Sequence, residues 1–256
     1  MMRTSNPALN DNTFSGAGAY ASGETMTIQG TTNKTFVLLF LLICGAVWIW
    51  GQVSQPVIND DYPVQTAAVV GPWLFGGMIA GFILAMVTVF KKEWSPYTAP
   101  LYAICEGVVL GAISAFAEMS YPGIVSQAVM LTFGTLFCLL GAYKSGLIKP
   151  TENFKLGLFA ATGAICLVYL VTMVLGFFHV QVPMIYGSGP IGIVFSLVVV
   201  TIAALNLVLD FDFIEQGASR GAPKYMEWYG AFGLMVTLIW LYLEILRLLM
   251  KMRDRR

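Results

Sequence analysis

The chain reads as an all-α, polytopic membrane protein built as a seven-transmembrane-helix bundle. Three observations carry that reading. Of 256 residues, 57% are hydrophobic and only 11% are charged, against about 25% charged in a typical soluble domain. The mean hydropathy is +0.75. The apolar residues fall into seven long runs separated by short polar stretches.

The runs cover Thr35–Val53, Ala67–Phe90, Ala99–Ala117, Gly123–Tyr143, Leu156–Phe178, Gly189–Leu209 and Tyr229–Met250. Each has roughly the 20 residues that, at a rise of about 1.5 Å, cross a hydrocarbon core of about 30 Å. Backbone groups in lipid must be satisfied within the chain, so such runs form helices rather than open strands. Three parts are expected: a polar leader over 1–34, a transmembrane domain over 35–250 and a basic tail over 251–256.

The leader is rich in Gly, Ser, Thr and Asn. It lacks the basic start and prompt apolar core of a signal peptide. Its composition suits a disordered cytoplasmic segment, with a partner-binding tail as the sharper alternative. Placing it inside puts Arg3, Lys34, Lys91, Lys92, Lys144, Lys149, Lys155, Arg220 and Lys224 on the inner side. The outer connections then hold Asp60, Asp61, Glu118 and His179 and no Lys or Arg, as the positive-inside rule requires. The tail "RLLMKMRDRR" is the exception, because seven crossings carry it outside. A re-entrant last segment would bring it back.

Aromatic residues Trp48, Trp50, Trp73, Trp94, Tyr97, Trp228 and Tyr229 lie near run ends, where amphipathic rings settle. Gly77/Gly81 and Gly107/Gly111 have the spacing that lets helices approach closely, and ordinary packing explains them. Zero formal net charge and the lack of a basic, aromatic-laced surface exclude a nucleic-acid binder.

Enzyme chemistry finds little footing, and no enzyme activity and no resident cofactor are expected. Cys44, Cys105, Cys138 and Cys166 sit in four different runs without a Cys-x-x-Cys, so they are expected to be small buried hydrophobes. His179 is the sole histidine, and no His-Glu-x-x-His is present. Ser188 lies between glycines in a loop without a second buried polar partner. The seventh run reads Leu-Tyr-Leu-Glu at Leu241–Glu244, without the Gly-x-Gly-Asp of intramembrane aspartyl proteases.

A set of membrane acids remains. Glu106 lies within the third run, Asp210, Asp212 and Glu215 end the sixth, Glu227 opens the seventh and Glu244 lies far along it. A charge at mid-membrane costs about 2.5–3.5 kcal/mol on insertion scales, so such acids face the interior, are protonated or are paired. Glu244 and Arg247, three apart, share a helix face, as do Asp212 and Glu215; Asp210 and Asp212 do not.

Three stretches resemble the transmembrane Bax inhibitor family: "DFDFIEQGASRGAPKYMEWYG" from Asp210, "WLYLEILRLLMKM" from Trp240 and "PLYAICEGVVLGAIS" from Pro100. The leader "RTSNPALNDNTF" is similar to that of a bacterial branch. The resemblance spans about 220 residues of helical chain, although its motifs are short. It implies a bundle with a central helix and a pH-sensitive calcium leak closed by two carboxylates sharing a proton. Asp210 matches the sixth-helix acid and Glu244 the seventh, with Glu in place of Asp. Two adjacent carboxylates cannot both ionise cheaply, and their oxygens suit Ca²⁺, so Asp210 and Glu244 are also the candidate Ca²⁺ ligands. Asp212, Glu227 and Glu106 stand behind them as ion- or proton-sensing candidates.

Two departures bear on that carry-over. Some family members place an arginine in the second helix; here that run has no Lys or Arg before Lys91, and Arg247 is the candidate counter-charge. Asp210 comes 21 residues after Gly189, which sets it near the inner surface. Glu244 comes 15 residues after Tyr229, about 22 Å up the axis. Either the two segments are offset in depth, or Asp210 has another partner, with Glu227 the natural one. The resulting expectation is a pH-sensitive Ca²⁺ leak channel in a bacterial cytoplasmic membrane, N-terminus inside. Its partners are the lipid bilayer and Ca²⁺ or protons. The alternative is a non-conducting regulator that binds another membrane protein, such as a quality-control protease. A proton-coupled carrier is disfavoured, because no inverted repeat or paired broken helices are apparent.

Overall fold

The computed structural model describes residues 25–53, 62–178 and 187–255. Seven long helices account for nearly all of them: α1 Ile28–Val53, α2 Tyr62–Phe90, α3 Ser95–Ser120, α4 Ile124–Lys144, α5 Glu152–Phe177, α6 Pro190–Ser219 and α7 Met226–Asp254. All seven are long and apolar enough to cross a membrane. Large apolar side chains on their outer faces, among them Phe40, Phe82, Phe137 and Phe159, are exposed. That surface suits lipid and no aqueous solvent. The protein is an all-α bundle of seven transmembrane helices.

The helices alternate in direction, and side-chain contacts define two ends. At the near end, where α1 begins, Ser95 donates to the Tyr225 carbonyl at 3.0 Å, Lys155 meets Asp212 at 2.9 Å and Lys34 meets Glu227. At the far end, Tyr121 and Ser188 both bond Asp254. α3 and α7 form the centre. α3 packs on α1, α2, α4 and α7, and α7 packs on α6, α1, α4 and α3. Leu38, Ala103, Met235, Leu207 and Leu241 fill the space between them.

The glycine pairs are packing devices. A Cβ at Gly107 would run into the Leu42 carbonyl of α1, one at Gly111 would lie 2.5 Å from the Ala46 carbonyl, and one at Gly77 would lie 2.9 Å from Val109 of α3. Backbones approach this closely only where the side chain is missing.

Several boundaries differ from the hydropathy reading. α1 begins at Ile28 rather than Thr35, so residues 28–34 belong to the bundle and not to a free leader. Its polar first turns are satisfied locally: the Thr27 hydroxyl accepts the Gly30 N–H at 3.0 Å, as an N-cap does. Residues just ahead of α1 are also tied down, with the Met26 N–H bonded to the Ala222 carbonyl at 2.7 Å. α6 continues ten residues past Leu209 to Ser219, because its acids find partners instead of ending the helix. α7 runs unbroken from Met226 to Asp254, so a re-entrant last segment is not formed.

That leaves the basic tail at the far end, where it is bound. Arg247 pairs with Glu244, Lys251 donates to the Ser196 hydroxyl at 2.9 Å and the Gly192 carbonyl at 3.2 Å, and Arg253 donates to the Pro122 carbonyl at 2.9 Å. Contrary to expectation, Cys44, Cys138 and Cys166 are exposed and only Cys105 is half-buried. A thiol facing lipid is as well accommodated as one in the core, so hydropathy does not distinguish the two positions. His179, Asp60 and Asp61 lie outside the described residues.

Candidate functional site

The acids singled out in the sequence occupy separate places, each with its own partners. Glu227, at the start of α7, is fully buried. Its carboxylate accepts from the Thr27 N–H at 2.9 Å and the Thr27 hydroxyl at 2.8 Å. It also pairs with Lys34 and, at 2.9 Å, with Lys224. A Cβ at Gly30 would enter this carboxylate. Glu227 is thus the clasp that ties the start of α1 to the start of α7. Two cations and an N-cap fully occupy it.

Glu244 is also buried, in the far half of the same helix. Arg247, one turn on, donates to both oxygens at 2.9 and 3.1 Å. Tyr169 of α5 donates to the same carboxylate at 2.9 Å, and Arg247 also donates to the Tyr169 oxygen at 2.8 Å. The guanidinium lies over the Tyr169 ring, 5.3 Å from its centre, in cation–π geometry. Arg247 is therefore the counter-charge of Glu244 and not of Asp210.

Asp210 lies within α6, nine residues from Ser219, or about 13 Å from that helix end. It is not at the near surface as its count from Gly189 implied, because α6 extends beyond it. Its neighbour across the helix pair is the Thr237 hydroxyl of α7. The Asp210 Oδ2 atom is buried and has no hydrogen-bond partner. A lone carboxylate in an apolar interior is costly unless a proton or a cation neutralises it.

The expected carboxylate pair is not formed. Thr237 marks the depth of Asp210 on α7; Glu244 is seven residues further along and Glu227 ten residues back. Those intervals are about 10 Å and 15 Å along the axis. Both are too long for a shared proton, or for Asp210 and Glu244 to bind one Ca²⁺ ion. Among the described residues, no three Asp, Glu, His or Cys side chains gather as a metal site.

The remaining acids sit apart as well. Asp212 pairs with Lys155 of α5 and accepts from Gln216 at 2.6 Å. Glu215, one turn from Asp212, bonds the Tyr143 hydroxyl of α4 instead. Glu106 of α3 bonds Tyr102, one turn earlier, and its Oε1 lies 3.1 Å from where a Gly81 Cβ would be. Ser188 donates to Asp254 at 2.9 Å. The sequence reading did not single out Thr27, Tyr169, Ser196 or Thr237. Each is a neutral hydroxyl whose role appears only when a charged partner on another helix is placed against it. Lys34 and Lys251 were read only for their charge.

Seven apolar spanning helices around a few buried, individually partnered charges define an integral, polytopic α-helical membrane protein. The model of the Bax inhibitor 1 like family matches residues 6–254, nearly the whole chain, and the protein belongs to that family. No curated protein and no solved structure matches the chain.

Proposed function

We propose that the protein is a pH-sensitive cation leak channel that passes Ca²⁺, with Asp210 as its gate carboxylate. One observation carries this reading: Asp210 has a buried oxygen without a partner, whereas Glu227 and Glu244 have theirs occupied by cations and hydroxyls. Of these acids, Asp210 is the one with unspent capacity for a proton or a metal ion. Carboxylate oxygen is a hard donor suited to Ca²⁺, and its charge state changes the electrostatics between α6 and α7 without breaking an existing ion pair.

The gate is a single carboxylate rather than a proton-sharing pair. Glu227 and Glu244 serve as ionic fasteners that hold α7 to α1 and α5 on either side of it. In this reading the near end, where lysines gather, faces the cytoplasm in keeping with the positive-inside rule, and the host membrane is a bacterial inner membrane. Ca²⁺ flux into dye-loaded liposomes, wild type against Asp210→Asn, tests the proposal. Asp210→Asn should flatten the pH dependence of the flux. Absence of flux in the wild-type protein at every pH would remove the channel reading.

A further inference from the structure

The helices α1 and α4 are not packed on each other, and the space between them is a groove that opens sideways to the bilayer. Its far half is a cavity of about 590 Å³, floored by Leu238 and Tyr242 of α7 and walled by Ile43 and Val129. Its near half is a second cavity of about 500 Å³. Leu39 of α1 and Phe133 of α4 line both, so the two cavities adjoin end to end along the helices. Each half has the size of a small-molecule site. Ile43 and Phe137 on its rims are exposed to the lipid side.

The two ends of this groove differ. The far half is lined almost entirely by apolar groups. The mouth of the near half carries Lys144, the last residue of α4, and Lys149, just before α5. Both lysines are exposed, and among the described residues neither is in an ion pair. Glu215, the acid of this lining, is bonded by the Tyr143 hydroxyl. Between the lysines, Leu147 projects from the turn at 82% exposure, as a residue dipping into the membrane interface does.

An occupant must enter from the hydrocarbon, extend along it, and end in negative charge at the level of the lysines. We propose that the groove between α1 and α4 binds an anionic phospholipid of the host bilayer, with an acyl chain in the groove and its phosphate held by Lys144 and Lys149. A lysine near the membrane surface adds substantially to binding of anionic lipid. Two at one mouth therefore select charge, while the groove selects a chain rather than a soluble phosphate.

The test uses the full-length protein in nanodiscs of equal phosphatidylglycerol and phosphatidylcholine with matched chains. Lipids retained on the protein are counted by native mass spectrometry. Wild type should retain phosphatidylglycerol over phosphatidylcholine by about thirtyfold, from two lysine contacts. The double substitution Lys144→Gln/Lys149→Gln should bring that ratio close to one. Ile43→Trp, which fills the groove from a lipid-facing position, should lower retention of both lipids. Lys91→Gln/Lys92→Gln, elsewhere on the near end, should leave the ratio as in wild type. The proposal is overturned by a wild-type ratio near one, by a ratio that survives loss of Lys144 and Lys149, by an equal fall in the Lys91/Lys92 control, or by undiminished retention in Ile43→Trp.

Discussion

Arg247 reaches back one turn along α7 and holds both oxygens of Glu244, at 2.9 and 3.1 Å. The seventh-helix acid is therefore neutralised within its own helix, and Tyr169 fixes both partners from α5.

Breaking that pair from one side should be worse than removing it. Loss of one partner from a fully buried pair costs about 3–5 kcal/mol; the cost is smaller here because the Arg247 side chain is 36% exposed. Arg247→Met should lower the thermal unfolding midpoint in detergent, and Glu244→Gln/Arg247→Met should recover part of the loss. A double variant no more stable than Arg247→Met would show that the charge left on Glu244 is not the source of the destabilisation.

The clasp at the near end should be a stability element. Glu227→Ala removes the acceptor for Thr27, Lys34 and Lys224 together. It should destabilise by less than the roughly 3–5 kcal/mol of a fully buried pair, because the lysines left behind are 19% and 49% exposed. Hydrogen exchange at the Thr27 amide should accelerate in the same variant. Truncation of residues 1–34 should lower the melting midpoint, because Thr27 and Lys34 go with it.

Gly107→Ala and Gly134→Ala should differ in sign. The added methyl meets the Leu42 carbonyl in the first and nothing within 4 Å in the second. Overpacking costs about 1–3 kcal/mol, while an unopposed Gly→Ala change in a helix contributes up to about 1 kcal/mol of stability. Melting midpoints of the two variants in one detergent check this directly.

Helix number and type were legible in hydropathy, because each span must be long and apolar to cross lipid. Helix ends were not. Gln29 to Lys34 read as leader, yet they form the first turns of α1 because Thr27 and Glu227 satisfy them. Asp210 read as a helix end, yet α6 carries on because Asp212 and Glu215 have Lys155 and Tyr143 to meet. The Glu244–Arg247 pair was legible from spacing alone, since i and i+3 share a face. Residue counts overstated the axial offset of Asp210 and Glu244, about 22 Å against about 10 Å, because α6 extends past Asp210. Thr237, the neighbour of Asp210, was not, because a hydroxyl mid-run carries no signal until two helices are set in register. The basic tail stays an exception to the charge rule at the far end, and its bonds to Ser196, Gly192 and Pro122 were not legible, because those acceptors lie on other parts of the chain.

Asp210 as the gate is tested most directly by Ca²⁺ uptake into liposomes between about pH 5 and 8, the range over which buried carboxylates titrate. Wild type, Asp210→Asn and Glu244→Gln are compared at equal protein density. The expected result is flux in all three, with pH dependence flattened in Asp210→Asn and retained in Glu244→Gln. Flux whose pH dependence is lost in Glu244→Gln and retained in Asp210→Asn would contradict the assignment and move the gate to the far half of α7.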